Sequence, residues 1–535
     1  MVRRSHGPVD GGRRAPVDLW KESAGGWQHP SIKKCAWPAL SVILRSCATI
    51  MCLRCRAAPM RVVDRLKRRS AERWLTVDIT ERESRRSLAD SLRPALANEG
   101  VVAVATSFVD NSGISRVKSV PLDRLPQLAA WGAGFSPSFD YFRFDDWMAA
   151  PPGGWAPVGD LRLLPDLQRV VPLVAQPGWA WAAADRYRQD GEPHENCSRQ
   201  LLRRLTVSLA EQALEIRAGF EIEWVIAAGD GENFKPAVEG AGYGMSRLIS
   251  ASAYGRDLID ALLRQGIAVE QFHPEAGAGQ LELSAAAESP VEAADTSVLV
   301  RSTIRAVGEQ YGYRTSFSPK GDPTGGVGNG GHVHLSAWRD GQNLMTAGAG
   351  HFGLTETAEA FAAGILQRLP ALLAIGAPSV ASYLRLVPSS WAGAYCCWGL
   401  ENREAALRMI TGSTGSSAWA ANLEVKCIDL TANPYLVLAG LLAAASAGID
   451  SHARLPEPIE VDPAALDQEV LDERGIHRLP TTLQSSVQAF AADDVLRAAL
   501  GNSLVNSIIA VRESEMELFA GASADEIVRA TRWAH

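Results

Sequence analysis

Four short apolar stretches of this chain are interrupted by acids or histidines. In AGFEIEWVIA, Glu221 and Glu223 fall two apart, so in a strand they share one face while Phe220, Ile222 and Trp224 share the other. GQLELS sets Glu282 between Leu281 and Leu283, with Glu275 seven residues upstream. GHVHLS points His332 and His334 one way and Val333 and Leu335 the other; NLEVKCID does the same for Glu424 and Lys426 against Leu423 and Val425. Any one of these reads as the wet face of an antiparallel sheet. Four together, bearing Glu or His and scarcely any Ser or Thr, read as a site. Several acids facing one cavity repel unless cations neutralise them, and carboxylate oxygens with an imidazole suit Mg2+ or Mn2+.

A glycine-rich run precedes the histidines. Gly326-Val-Gly328-Asn-Gly330-Gly331 formally fits the dinucleotide pattern G-x-G-x-x-G, but that fold needs a helix next, and HVHLS alternates like a strand. No G-x-x-x-x-G-K-[ST] loop and no G-x-S-x-G elbow occurs. What remains is a nucleotide site built on strands and metals.

These motifs need a scaffold. Over 535 residues, 47% hydrophobic and 21% charged, the chain has the make-up of ordinary globular proteins and room for two or three domains. Residues 1–75 hold 16 Lys/Arg against 5 Asp/Glu, a net of +11 that leaves −18 on the rest of a chain whose total is −7. That arm is expected to be a basic, disordered extension, with Met51 or Met60 as alternative starts. An acidic body argues against nucleic acid as the main partner. The eight cysteines are scattered (Cys35, Cys47, Cys197, Cys427), adjacent (Cys396–Cys397) or in one lone C-x-x-C, Cys52 to Cys55, which fits a reducing cytoplasm. No run reaches the roughly 18 apolar residues of a membrane span, so no membrane is expected. Arg45 breaks the apolar stretch CAWPALSVIL at 35–44, which argues against a secretory signal.

SRRSLADSLRPALANEG has helical apolar spacing and stops on Gly100; VVAVATSFVD then alternates as a strand, NSG turns, and ISRVKSVPL returns as its hairpin partner. The region 126–165 reads as loop-rich, and QDGEP marks a boundary near 190. An amphipathic helix over 197–216 leads to a strand at 218–227; further helices are expected over 291–312, 356–376 and 434–449, with short strands alternating to the C-terminus. The fold class is α+β, with a small β-rich domain over 76–188 and a larger domain over 189–535.

In chain order, FEIEW, HPEAGAGQLELS, FSPK…GNGGHVHLS, SYLRLVP, ENREAALR and LEVKCIDLTANPYL resemble the catalytic domain of glutamine synthetases over roughly 190–450. The C-terminal helices are similar too, and 90–180 resembles that family's β-grasp domain more weakly. The resemblance implies a catalytic domain built on a curved antiparallel sheet flanked by helices. It implies two divalent ions, Mg2+ or Mn2+, per active site. One would be held by Glu223, Glu275 and Glu282, and the other by Glu221, His332 and Glu424 on the phosphates of ATP, the co-substrate. Arg403 and Arg408 would face the phosphates, with His334 and Ser336 at the nucleotide. Arg385 would grip the α-carboxylate of glutamate, and the Gly328 backbone would meet its amino group. Lys426 stands where many members have Arg, keeping the charge but losing the fork. A cytoplasmic homo-oligomer with active sites between subunits is also implied.

The departures carry as much. The family's ammonium site uses an aspartate in a G-F-D-G-S-S loop of the neighbouring subunit, and here Gly134-Phe135-Ser136-Pro137-Ser138 sets a serine there. A flap glutamate after R-L-V-P is replaced by Ala392 or Gly393 in PSSWAGAY. Asn422 stands for an arginine, Val327 for an asparagine, and His273-Pro274 for a His-His pair. Smaller, uncharged residues in an amine pocket open space and remove cation attraction. The expected acceptor is therefore an organic amine or polyamine, with Asp140, Asp145 and Asp146 as candidates to steer it. The alternatives are a true glutamine synthetase using ammonium and a non-catalytic regulatory or scaffolding member.

Overall fold

Two sheets organise the chain, and the second carries the chemistry-bearing strands. The computed structural model describes residues 76–150, 158–229, 234–322 and 328–535. The expected extension over 1–75, its cysteines, and Gly326 and Val327 lie outside the described residues.

The first sheet has six strands. β1 (Ala103–Val109) pairs antiparallel with β2 (Ser115–Pro121) and parallel with β6 (Trp179–Tyr187); β4 (Leu161–Pro165) joins β6 to β3 (Ala133–Phe135), and β5 (Val171–Pro172) sits on β6. Asp78 caps the helix Ile79–Asn98 by accepting from the Glu81 N–H at 2.8 Å. That helix packs on a second, Leu125–Trp131, in the segment expected to be loop-rich. Seven residues were too few to show a period, yet Leu125, Leu128 and Ala129 are buried and hold it in place.

The second sheet has nine strands centred on β7 (Glu215–Ala228). On one side lie β9 (Gln280–Ala285) and β8 (Val269–Pro274); on the other lie β11 (Val333–Arg339), β15 (Asn422–Val425), β14 (Ala405–Ile410) and β13 (Tyr395–Leu400). β10 (Tyr313–Ser316) adds to β7 and β12 (Gln342–Asn343) to β11. Pairing is antiparallel except between β13 and β14, which run parallel. Ile216, Ala218, Phe220, Ile222, Trp224 and Ile226 turn the buried face of β7 into the core, against the helix Pro290–Gln310. The opposite face is left for chemistry.

The expected alternation of strands and helices ends at Val425; the described residues beyond it form helices, from Pro434–Asp450 to Ala524–Thr531. The helix Glu356–Gly376 is long and apolar enough to cross a membrane, which residue runs did not suggest because Gln367 and Arg368 split them. It is instead a core helix against Pro434–Asp450. A Cβ on Gly364 would lie 2.2 Å from the Ala444 carbonyl and one on Gly448 2.2 Å from that of Ala360, so the crossing depends on both glycines.

One buried arginine ties the layers together. Arg199 donates to Asp295 at 2.9 and 2.8 Å, to Asp185 on β6 at 3.1 Å and to Asp166 at 2.6 Å. Burial resists the charge on Asp185, but Arg203 and Arg199 outweigh it and bring its carboxyl down to about 2. Replacing Arg199 by Met leaves carboxylates buried without their cation, and is expected to cost about 3–5 kcal/mol in denaturant unfolding. An unchanged midpoint would show that the acids find other partners.

Candidate active site

Strand register brings the four motifs into one row. His334 on β11 lies opposite Gly219 on β7 and Glu424 on β15, and Glu424 lies opposite Arg408 on β14. In the other direction Glu223 faces Glu282 on β9, which faces His273 on β8. The face opens into a cavity of about 850 Å³. Glu221, Glu223, Glu275, Glu282, Gly328, His332, His334, Ser336, Arg385, Arg403, Arg408 and Lys426 all line it. Glu424 lies just beneath, 1% exposed, where Lys426 Nζ reaches one oxygen at 3.0 Å and Arg408 Nη1 the other at 2.9 Å.

Two groups of ligand-type atoms form. Those of Glu221, His334 and Glu424 lie within 4.8 Å of one another, as do those of His273, Glu275 and Glu282. His332 belongs to the first neighbourhood, with Nδ1 at 2.9 Å from Glu221 and 3.2 Å from Glu424. Glu223 sits between the groups, 3.7 Å from His332 Nε2, and accepts from the Gly330 N–H and Gln280 Nε2, both at 2.9 Å. The residues fit divalent ions: carboxylate oxygens alternate with imidazole nitrogens, His334 Nε2 lying 3.2 Å from Glu221.

The charges are under strain. Burial pushes Glu223 up to about 7 against the pull of Arg385, and burial raises Glu282 to about 7 despite its hydrogen bond with His273. Burial would raise Glu424 too, but Lys426, His332 and His334 hold it down at about 2. The hydrogen bond with Glu282 lifts His273 to about 9; burial works against His334, yet Glu221 carries it to about 9.

Arg385 is pinned by donating to the carbonyls of Ile428 at 3.2 Å and Lys426 at 3.1 Å, and its Nη2 lies 3.1 Å from His332 Nε2. With Arg385 on Nε2, Nδ1 is the ring nitrogen turned toward Glu221 and Glu424. A Cβ on Gly330 would stand 2.5 Å from His332 Nε2 and 2.7 Å from Arg385 Nη2, so only glycine lets the loop pass. Arg403 is exposed at the cavity wall, and Ser336 Oγ accepts from the Trp338 indole at 2.8 Å.

Phe220, Tyr243, Trp391 and Trp419 line the cavity, and the roles of Tyr243 and Trp391 did not stand out in the sequence. Tyr243 (φ 57°, 53% exposed) donates to Glu275 at 2.6 Å, and Trp391 (φ 55°, 50% exposed) lies on the segment that replaces the flap. Bulky side chains in left-handed backbone cost about 1–3 kcal/mol each and persist where the surroundings impose them. The Trp391 N–H donates to the buried Glu404 at 2.8 Å, which holds that turn. Ala392 is itself buried, 1% exposed, and presents nothing to the cavity. His273 shares the two-residue spacing of the other motifs, as His273-x-Glu275, and that spacing was the signal for it. Gln280 and Asn329 brace Glu223 from behind, their amide and carbonyl 3.0 Å apart.

Of the three aspartates only Asp140 is withdrawn from solvent; Asp145 and Asp146 are exposed loop acids. Asp140 is 2% exposed and paired with Arg186, with His194 at 2.8 Å and with Asn196 at 3.0 Å. Asp145 is engaged by Arg143 at 2.7 and 3.0 Å, and Asp146 by Arg116. Ser136 caps the short turn Pro137–Tyr141, its Oγ 2.6 Å from that of Ser138.

Comparison with known proteins follows the same lines. Residues 195–530 match the model of the glutamine synthetase catalytic domain. A gamma-glutamylpolyamine synthetase of Streptomyces coelicolor is 52% identical over 450 residues, covering 83% of this chain and 96% of that protein. A glutamine synthetase of Methanocaldococcus jannaschii is 31% identical over 375 residues, 68% of this chain and 81% of that one. The crystal structure of a novel glutamine synthase homolog superposes with a TM-score of 0.73 at 34% identity, over 81% of this chain and 99% of the other.

If the acids hold metal, Glu221→Ala and Glu424→Ala each weaken Mn2+ binding by at least about tenfold in an electron paramagnetic resonance titration. Unaltered binding in both variants would separate these acids from the metal.

Proposed function

The chain belongs to the glutamine synthetase family, and on that footing we propose that it joins the side-chain carboxylate of glutamate to an organic amine in a reaction driven by ATP. Members of this family are ATP-dependent ligases that form carbon–nitrogen bonds and use divalent metal ions. A carboxylate does not acylate an amine until one oxygen becomes a leaving group. ATP phosphorylates that oxygen, the amine attacks the acyl carbon, and phosphate departs, leaving a γ-glutamyl amide, ADP and phosphate.

We assign the roles as follows. Glu223, Glu275 and Glu282 would hold one divalent ion and Glu221, His332 and Glu424 another, with His273 and His334 beside them. Two bound ions, Mg2+ or Mn2+, would neutralise phosphate charge and orient the acyl phosphate. Arg385 grips the α-carboxylate of glutamate with a planar fork, and the Gly328 backbone meets its amino group. Arg403 and Arg408 take up charge on the transferring phosphoryl group, while His334 and Ser336 face the nucleotide. Lys426 steadies Glu424 and adds a cation close to the phosphates. Residues 76–188 would form a β-grasp-like domain beside a catalytic domain over 189–535, in a cytoplasmic homo-oligomer with active sites between subunits.

One observation carries the choice of an organic amine. Where ammonium-using members place acids, this chain has Ser136 and the buried Ala392, and the cavity is lined by the half-exposed rings of Trp391 and Tyr243. Aromatic faces attract alkylammonium groups and pack their methylenes, which ammonium does not offer. The likeness to a gamma-glutamylpolyamine synthetase supports this reading. Use of ammonium is the second reading, favoured by likeness to proteins named glutamine synthetase.

The test is phosphate release from ATP, Mg2+ and glutamate across ammonium, monoamines, diamines and polyamines. Release that needs glutamate and an organic amine, and that Glu424→Ala abolishes, is expected; release with ammonium alone would overturn the choice of acceptor. Trp391→Ala is expected to raise KM for the organic amine about tenfold while leaving KM for ATP unchanged. Equal KM for the amine in both proteins would remove Trp391 from amine recognition.

A further inference from the structure

A second cavity, of about 540 Å³, lies away from the catalytic cavity and shares no lining residue with it. The helix Ile79–Asn98 contributes Arg82, the helix Leu125–Trp131 contributes Gln127 and Trp131 with Arg124 just before it, and β4 contributes Arg162, opposite Gln189. The arginines are held by neutral groups only. Arg82 Nη1 donates to the Ala130 carbonyl at 2.8 Å with its guanidinium 4.7 Å over the Trp131 ring, and Arg162 Nε donates to Gln189 Oε1 at 3.2 Å. Arg85, close by, spends its donors on the carbonyls of Ala129 and Pro165.

None of Arg82, Arg124 and Arg162 forms an ion pair among the described residues, whereas neighbouring Arg93 pairs with both Asp90 and Asp123. This is unusual in a chain whose residues after 75 carry a net −18 and could have supplied acids at little cost. Burial, Arg162 and Arg85 all disfavour the charge on Arg82, so the cluster is held together against its own repulsion. Guanidinium groups converging on a concave surface with free donors form the fork geometry that recognises carboxylate and phosphate.

We propose that this cavity of the N-terminal sheet is a binding site for a small organic or inorganic oxyanion, carrying carboxylate or phosphate groups, that bridges Arg82, Arg124 and Arg162. Gln127 adds an amide donor, Gln189 holds Arg162 while its own amide donates to the Asp160 carbonyl at 2.9 Å, and the Trp131 ring closes one wall. The site is independent of the reaction proposed above, since it needs neither the metals nor the amine.

The experiment is titration calorimetry on the full-chain protein with inorganic phosphate, succinate and citrate as separate probes. The proposed ATP and glutamate sites of the catalytic cavity would also take anions, so each titration is repeated in Arg408→Gln. Binding that survives Arg408→Gln and is weakened about tenfold by Arg162→Gln and by the exposed, fold-neutral Arg124→Gln is expected. Preference for phosphate would identify a phosphate ester as the class of ligand, and preference for succinate or citrate a carboxylate; both support the site. Binding that vanishes in Arg408→Gln, or that is indifferent to Arg124→Gln and Arg162→Gln, would overturn it. So would an altered assembly mass in Arg124→Gln without anion binding to the wild type, because the arginines would then be pairing with a second copy.

Discussion

Repulsion among carboxylates governs this molecule. Glu221, Glu223, Glu275, Glu282 and Glu424 converge on one face of one sheet, where burial removes the water that would otherwise screen them. The protein answers with cationic and imidazole partners. Lys426 and Arg408 clamp Glu424, His332 and His334 bridge Glu221, and His273 bridges Glu282. Even so, burial pushes Glu223 and Glu282 up to about 7 despite Arg385 and His273. A face built this way is poised to take up more positive charge, and divalent ions beside a polyphosphate are the natural completion.

Holding such a face demands rigidity behind it. β7 achieves this by alternation: every second side chain from Ile216 to Ile226 is buried, so the acids between them have no freedom to turn inward. Gly330 lets the loop graze His332 and Arg385, and Arg385 in turn is fixed by two carbonyls and orients the His332 ring. The first sheet is locked onto this frame through polar groups: Asn433 Nδ2 donates to the Val109 carbonyl at 2.9 Å, and Arg512 Nη2 to that of Asn111 at 2.5 Å. Charge crowding at the face and paired charge behind it are two sides of one design.

The strand motifs were legible because alternation has a period of two and needs no tertiary knowledge. Glu221, Glu223, His332 and His334 could be placed on common faces from spacing alone, and the core helices 356–376 and 434–449 came within a residue of their bounds. What spacing could not supply was register across strands, so the company kept by His273 emerged only when β8 was set against β9. Tyr243 and Trp391 sit in irregular segments where a left-handed backbone, not a pattern, aims the ring. Asp140 misled for a related reason: an acid in a Pro- and Ser-rich loop looks solvated until Arg186, His194 and Asn196, more than forty residues away, close over it.

The proposed acceptor pocket offers a way to redirect a shared reaction without touching its engine. Removing two acids weakens attraction for a bare cation, but the remaining carboxylates still make the cavity negative, so an ammonium group is not excluded by charge alone. Discrimination has to come from the part of the acceptor that ammonium lacks, its carbon chain. Trp391 is suited to that task because it hangs on a turn held by the buried Glu404 and projects over the cavity from the flap position, with half its surface exposed. Burying methylenes against an indole contributes roughly 0.8 kcal/mol for each CH2. A chain of several methylenes therefore gains more than the lost ion pair at the surface of the pocket supplied. On this view the phosphoryl-transfer half of the site is fixed by electrostatics, and the acceptor half is free to vary because hydrophobic contact can substitute for charge.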